Sequence, residues 1–171
     1  MVSEGDGQGR RFVREIGLPS LAATQDLARR LAPLLKSGDL VGLKGALGAG
    51  KTAFARALIQ TFLPGEEVPS PTFTLVQTYE GSGFTIVHMD LYRLESPRDV
   101  WELGWDEVRD GALALVEWPE RLGHELTPPD RLDIQFEMGG SGEVNEGDQR
   151  VVQLRGFGTW ADRLAQAREL A

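Results

Sequence analysis

Residues 45–52 read Gly-Ala-Leu-Gly-Ala-Gly-Lys-Thr, which satisfies the pattern G-x-x-x-x-G-K-[ST] in full. This octapeptide constrains the fold because it works only between a strand and a helix. The glycines let the backbone curl until successive N–H groups point inward at an anion. The helix that follows adds the positive end of its dipole. Both flanks fit. Leu40-Val41-Gly42-Leu43 is a short apolar run suited to a buried strand. From Thr52 to Leu63 the apolar residues Phe54, Ala57, Leu58 and Phe62 recur at helical spacing, and Pro64-Gly65 stops them. In such a loop Gly48, Ala49, Gly50 and Ala53 offer backbone N–H groups and Lys51 supplies a compact cation to the β- and γ-phosphates. The Thr52 hydroxyl is placed to ligate Mg²⁺. The expected ligand is therefore a nucleoside triphosphate, ATP with Mg²⁺, released as ADP.

A metal-assisted phosphate site also needs carboxylates at the ends of neighbouring apolar strands. Two positions qualify. Asp90 ends the run from Phe84 to Met89, and Glu117 ends the run from Ala112 to Val116. Either can bind Mg²⁺ or orient an attacking water, and position along the chain does not separate the two jobs. His88 and His124 are the two histidines, and neither has metal-ligand spacing, so both read as structural. Trp118, next to Glu117, is placed to pack on a nucleotide or a partner. Trp101, Trp105 and Trp160 read as core or interface aromatics.

The remaining elements follow from periodicity. Ser20 caps a helix expected from Ser20 to Lys36, with Pro33 kinking it or ending it early. Thr72 to Tyr79 and Phe84 to Met89 read as an antiparallel hairpin joined by Glu80-Gly81-Ser82-Gly83. Pro97 to Leu103 reads as a helix, Arg131 to Glu137 and Arg150 to Leu154 as outer strands, and Thr159 to Leu170 as a closing helix. The Gly-rich, acidic stretch from Gly139 to Asp148 reads as a mobile loop. The fold class is α/β: a P-loop NTPase-like three-layer domain with a mixed, mainly parallel sheet containing an antiparallel hairpin. Residues 1–17 read as a disordered lead-in and 18–171 as a single domain.

Composition narrows the partners. The formal net charge of −8 argues against unaided grip on nucleic acid, because such proteins carry a basic face. There is no cysteine, hence no disulfide, thiolate metal site or cysteine nucleophile. With no apolar run near the ~18 residues of a membrane helix and no signal-like apolar stretch, a cytoplasmic protein with no membrane contact is expected. A GTPase would read guanine with Asn-Lys-x-Asp, but the sole asparagine, Asn145, is followed by Glu146. Two further readings stay open: a small-molecule kinase whose lid draws on Arg93, Arg98 and Arg109, and a nucleotide-gated binding module without turnover.

Four words, taken together, resemble the TsaE (YjeE) family of small bacterial P-loop ATPases. They are GALGAGKT at 45–52, SPTFTLV at 70–76, HMDLYRL at 88–94 and EWPER at 117–121, in family order. The resemblance covers about residues 18–155. It implies a Mg-dependent ATPase, weak alone and stimulated by the partner proteins TsaB and TsaD, in the modification of tRNA adenosine 37 to threonylcarbamoyladenosine. Contact with tRNA is implied only through that complex. By the same resemblance Thr52, Asp90 and Glu117 form the metal-binding and catalytic set with Lys51. Thr72, in a switch-like loop, lies at the phosphate or metal, Trp118 beside the nucleotide, and Thr24 near the adenine. The chain departs from the family where Ala46 replaces an aspartate and Ala53 a second threonine. Nucleotide binding through backbone N–H groups does not need either side chain.

Overall fold

The computed structural model describes residues 10–81, 83–138 and 149–170. Seven strands form one sheet: β1 (Arg11–Leu18), β2 (Leu40–Lys44), β3 (Val76–Glu80), β4 (Thr85–Asp90), β5 (Leu113–Glu117), β6 (Arg131–Met138) and β7 (Arg150–Phe157). Their spatial order is β1-β7-β6-β2-β5-β4-β3. The centre, β6-β2-β5-β4, is parallel throughout. Antiparallel strands flank it on both sides, β3 on β4 and the pair β7 and β1 on β6. The mixed sheet is as expected, although its antiparallel part is larger than one hairpin.

Helices cover both faces because the central strands are apolar on both. In β5, Leu113 and Leu115 face one core, and Ala114 and Val116 face the other. The first core packs α1 (Leu21–Leu31), α2 (Lys51–Phe62) and α6 (Thr159–Gln166) through Leu27, Leu31, Phe54, Leu58, Trp160 and Leu164. The second packs the short helices α3 (Pro97–Glu102) and α4 (Trp105–Arg109) through Val100 and Trp105. Gly42 faces this second side, where a Cβ would stand 2.8 Å from the Asp133 carboxylate and 3.0 Å from the Pro119 ring. Its missing side chain lets the 3₁₀ turn Pro119–Leu122 close on β2, and the Trp118 N–H reaches the Leu43 carbonyl at 3.2 Å. The small helix α5 (Gly123–Leu126) follows that turn.

Ser20 caps α1, its hydroxyl accepting from the Ala23 N–H. The helix ends at Leu31 and passes into a 3₁₀ turn, Ala32–Leu34, that contains Pro33. Four expectations are corrected. Arg11–Leu18 is a strand, not lead-in: Phe12 and Ile16 pack on the first core while Arg11 and Glu15 face outward. Residues 1–9 lie outside the described residues, as do Ser82 of the hairpin link and 139–148, the expected mobile loop. The third strand begins at Val76 rather than Thr72, since the preceding residues turn, with the Leu75 N–H on the Pro71 carbonyl at 2.7 Å. β6 and β7 are interior strands, each flanked on both sides. The last helix stops at Gln166, and Arg168–Leu170 is a separate 3₁₀ turn. No helix among the described residues is long and apolar enough to cross a membrane.

One ion pair ties α6 to the strand that carries the loop. Arg163 grips the buried Asp39 carboxylate with two bonds of 2.7 Å, lies over the Trp160 ring, and donates to the Leu34 carbonyl. Arg163→Ala strips this carboxylate of its cation. Arg163 is partly exposed, so the expected loss is about 2–3 kcal/mol, below the roughly 3–5 kcal/mol for breaking a fully buried pair. A thermal melt is expected to fall by roughly 5–10 °C. A melt unchanged within 2 °C would show that solvent screens the pair.

Candidate functional site

Three parallel strands, β2, β5 and β4, deliver their carboxyl ends to the same edge of the sheet, the usual place for a ligand in such folds. The glycine loop leaves β2 at Lys44 and enters α2 at Lys51. Its entry and exit both need glycine. Gly45 has φ 136°, and a Cβ there would lie 2.6 Å from the Phe136 carbonyl. Gly50 has φ 109° and caps α2 without any side-chain acceptor. The first N–H groups of this helix are therefore left for a ligand, which is the geometry of an anion site. Arg150, at the start of β7, donates from Nε to the Ala49 carbonyl at 2.8 Å and fixes the last bend.

Lys51 is 4% exposed, and its Nζ donates to the carbonyls of Gly45 (2.7 Å) and Ala46 (2.8 Å). Nζ also lies 4.3 Å from the centre of the Trp118 ring. Burial pushes its pKa below the ordinary lysine value, and the nearby carboxylates Glu117, Asp90 and Glu120 pull it back. Trp118 reaches this place because its backbone is left-handed, φ 57°, directly after β5. Tyr92 packs against it at 5.0 Å between ring centres.

Asp90 and Glu117 are register partners on β4 and β5, so they share a face of the sheet. Both are buried. Sheet order separates what they touch. β5 lies next to β2, and Glu117 meets the Thr52 hydroxyl with both oxygens at 2.9 Å. β4 lies one strand further, and Asp90 accepts from the Thr72 hydroxyl at 3.1 Å and the Tyr92 N–H at 2.9 Å. Thr72 in turn is 2.8 Å from the Ser70 hydroxyl. The turn that carries it ends at Leu75, whose φ is 66°, rare for a branched apolar residue. Phe73, at the tip, is 80% exposed under the Arg93 guanidinium.

The structure thus gathers Lys51, Thr52, Thr72, Asp90, Glu117 and Trp118. Thr24 stays apart: it is buried in α1 with its hydroxyl on the Ser20 carbonyl, and no hydrogen bond among the described residues joins it to the loop. Arg93, Arg98 and Arg109 do not converge. They lie against Phe73, Glu102 and Trp105 respectively. Sequence reasoning missed three participants: His88, Tyr92 and Arg150. For His88 a signal existed, since i and i+2 on a strand share a face, so His88 points to the same side as Asp90.

The oxygen-only set of Thr52, Asp90 and Glu117 suits a hard cation such as Mg²⁺ rather than zinc or copper. No cluster of three or more His, Cys, Asp or Glu side chains stands ready for a metal among the described residues. Mg²⁺ is generally held by one or two carboxylates together with phosphate oxygens.

The family model described as Threonylcarbamoyl adenosine biosynthesis protein TsaE matches residues 18–145. A relative from Rickettsia conorii, named tRNA threonylcarbamoyladenosine biosynthesis protein TsaE, is 53% identical over 66% of this chain and 65% of its own length. A relative of the same name from Streptomyces coelicolor is 39% identical over 80% of this chain and 93% of its own. The chain spans about two thirds of the Rickettsia relative and nearly all of the Streptomyces one. The crystal structure of YdiB from Bacillus subtilis superposes with a TM-score of 0.73 at 24% identity, covering 93% of this chain and 96% of that one, which shows the shared fold.

Proposed function

The chain belongs to the TsaE family of threonylcarbamoyl adenosine biosynthesis proteins, and on that basis we propose that it binds ATP with Mg²⁺ and hydrolyses it in the cytoplasm. The hydrolysis keeps TsaB and TsaD partners turning over as they modify tRNA adenosine 37. The observation that carries this reading is the contact of Thr52 with Glu117 at the mouth of an uncapped helix, beside a buried lysine. Such a set has little use in a purely structural turn.

In this reading the α2 N–H groups and Lys51 receive the phosphates. Thr52 and one or both of Asp90 and Glu117 hold Mg²⁺, and one of these carboxylates orients the attacking water. Bound Mg²⁺ supplies charge neutralisation at the phosphates. Trp118 and Tyr92 wall the site from solvent. The kinase reading loses ground because its three arginines lie against separate partners.

Steady-state ATP hydrolysis by the purified protein, alone and with TsaB and TsaD, tests the proposal. Slow turnover alone that rises with both partners is expected. ATP binding with no turnover under any condition would overturn the ATPase reading and leave a nucleotide-gated binding module.

A further inference from the structure

His88 lies in the middle of the buried sheet, fully inaccessible, with Nε2 2.8 Å from Glu117 Oε1. Its other ring nitrogen, Nδ1, is buried with no hydrogen-bond partner among the described residues. These two facts fix the proton. A proton on Nδ1 would leave a buried donor unsatisfied and turn the Nε2 lone pair against a carboxylate oxygen. A proton on Nε2 makes one strong bond to that oxygen and leaves only an acceptor unpaired, the less costly arrangement. The imidazole is therefore a fixed N–H donor aimed at Glu117 from the neighbouring strand.

We propose that His88 is a positioning residue for the reaction at this site: its Nε2–H anchors Glu117 Oε1, so that the other oxygen stays aimed at the position a Mg²⁺ would take. The inference rests on the ATPase reading of the preceding subsection. As the structure stands, Glu117 is held on both sides, by His88 and by Thr52. The Thr52 hydroxyl has one proton and two lone pairs, so it can donate to one Glu117 oxygen while a lone pair faces a metal, but it cannot hold both carboxylate oxygens at once. With Thr52 donating to Oε2, the Oε1 oxygen depends on the bond from His88 as its side-chain donor. That donor comes from the centre of β4, which is rigid and paired on both sides, so the carboxylate loses little orientation. Partners that orient a metal-binding group in this way typically contribute 10–100-fold to affinity or activity.

Three measurements test the inference. In the unsubstituted protein, long-range ¹H–¹⁵N correlation of the histidine side chains at fixed pH is expected to place the His88 proton on Nε2. A proton on Nδ1 would overturn the proposal without reference to activity. In His88→Leu, which keeps the bulk and removes the donor, kcat for ATP is expected to fall about 10–100-fold. KM at saturating Mg²⁺ and Mg-free nucleotide affinity stay within about threefold, since neither then depends on the aim of Glu117. The Mg²⁺ concentration for half-maximal tightening of ATP binding, read from Trp118 fluorescence, is expected to rise by a similar factor. His88→Gln, whose amide can donate from the same side, is expected to recover most of both losses. If the two variants lose kcat, Mg²⁺ response and thermal stability in parallel, the ring only fills space and the proposal fails. If the unsubstituted protein turns over no ATP, the ATPase reading fails alone. The Mg²⁺ response of binding and the position of the proton then still decide for or against His88.

Discussion

Lys51→Ala is expected to weaken ATP binding by on the order of 100-fold while leaving the nucleotide-free protein nearly as stable as before. The two halves of this expectation have different causes. The ammonium is held against the carbonyls of Gly45 and Ala46 and the face of Trp118, with 4% of the residue exposed. A buried cation aimed at phosphate oxygens contributes about 2–5 kcal/mol, the cost of truncating one partner of a desolvated charged pair. The lower part of that range, about 2.8 kcal/mol, converts to the stated loss. Against stability, removal leaves two loop carbonyls without a donor. In favour, it removes a charge whose burial is costly enough to depress its pKa. The two oppose each other, and the melt is expected to move by only a few degrees. Calorimetric titration with ATP and Mg²⁺, beside a thermal melt, checks both. Affinity within threefold of the original would mean that the ammonium braces the loop and does not serve the phosphates.

Much of this arrangement can be read along the chain, and the part that cannot has a definite physical origin. The loop is contiguous, so eight residues carry both its bends and its cation. Asp90 and Glu117 stand out because each closes an apolar run that has no other reason to end in a carboxylate. What distinguishes them is lateral order in the sheet. Glu117 reaches Thr52 because β5 is the neighbour of β2, and Asp90, one strand away, reaches Thr72 instead. That order depends on pairings between strands some 70 residues apart and has no local signature. The same holds for Arg11–Leu18, where the alternation that puts Phe12, Ile16 and Leu18 on one face is broken by Arg14 on that face and Val13 on the other. Its partner β7 lies more than 130 residues away, and beside a Gly-rich N-terminus the alternation was too weak to outweigh composition. The turn at Pro71–Thr74 has no local signature because Thr and Phe favour strands, while the Thr72 hydroxyl is drawn out of the pleat by the Asp90 carboxylate.

The same lateral order predicts which carboxylate matters more. Glu117→Gln is expected to lower ATP turnover by about 10²–10³-fold, within the usual range for losing a general base or metal-bound carboxylate. ATP affinity is expected to hold within tenfold. The amide keeps the volume and can still accept from His88, so the fold and the loop survive. What disappears is the negative charge 2.9 Å from the Thr52 hydroxyl. Asp90→Asn removes a charge of equal size from the next strand, where the carboxylate is engaged by Thr72 and the Tyr92 N–H instead. Its effect on turnover is expected to be at least fivefold smaller, a difference of about 1 kcal/mol. It is expected instead to loosen the turn at Thr72, seen as faster amide exchange at residues 72–75. The order of the two losses in kcat is the informative quantity. Were Asp90→Asn the more damaging change, the metal would belong nearer β4, and the contact between Glu117 and Thr52 would be a resting-state latch to be broken before turnover.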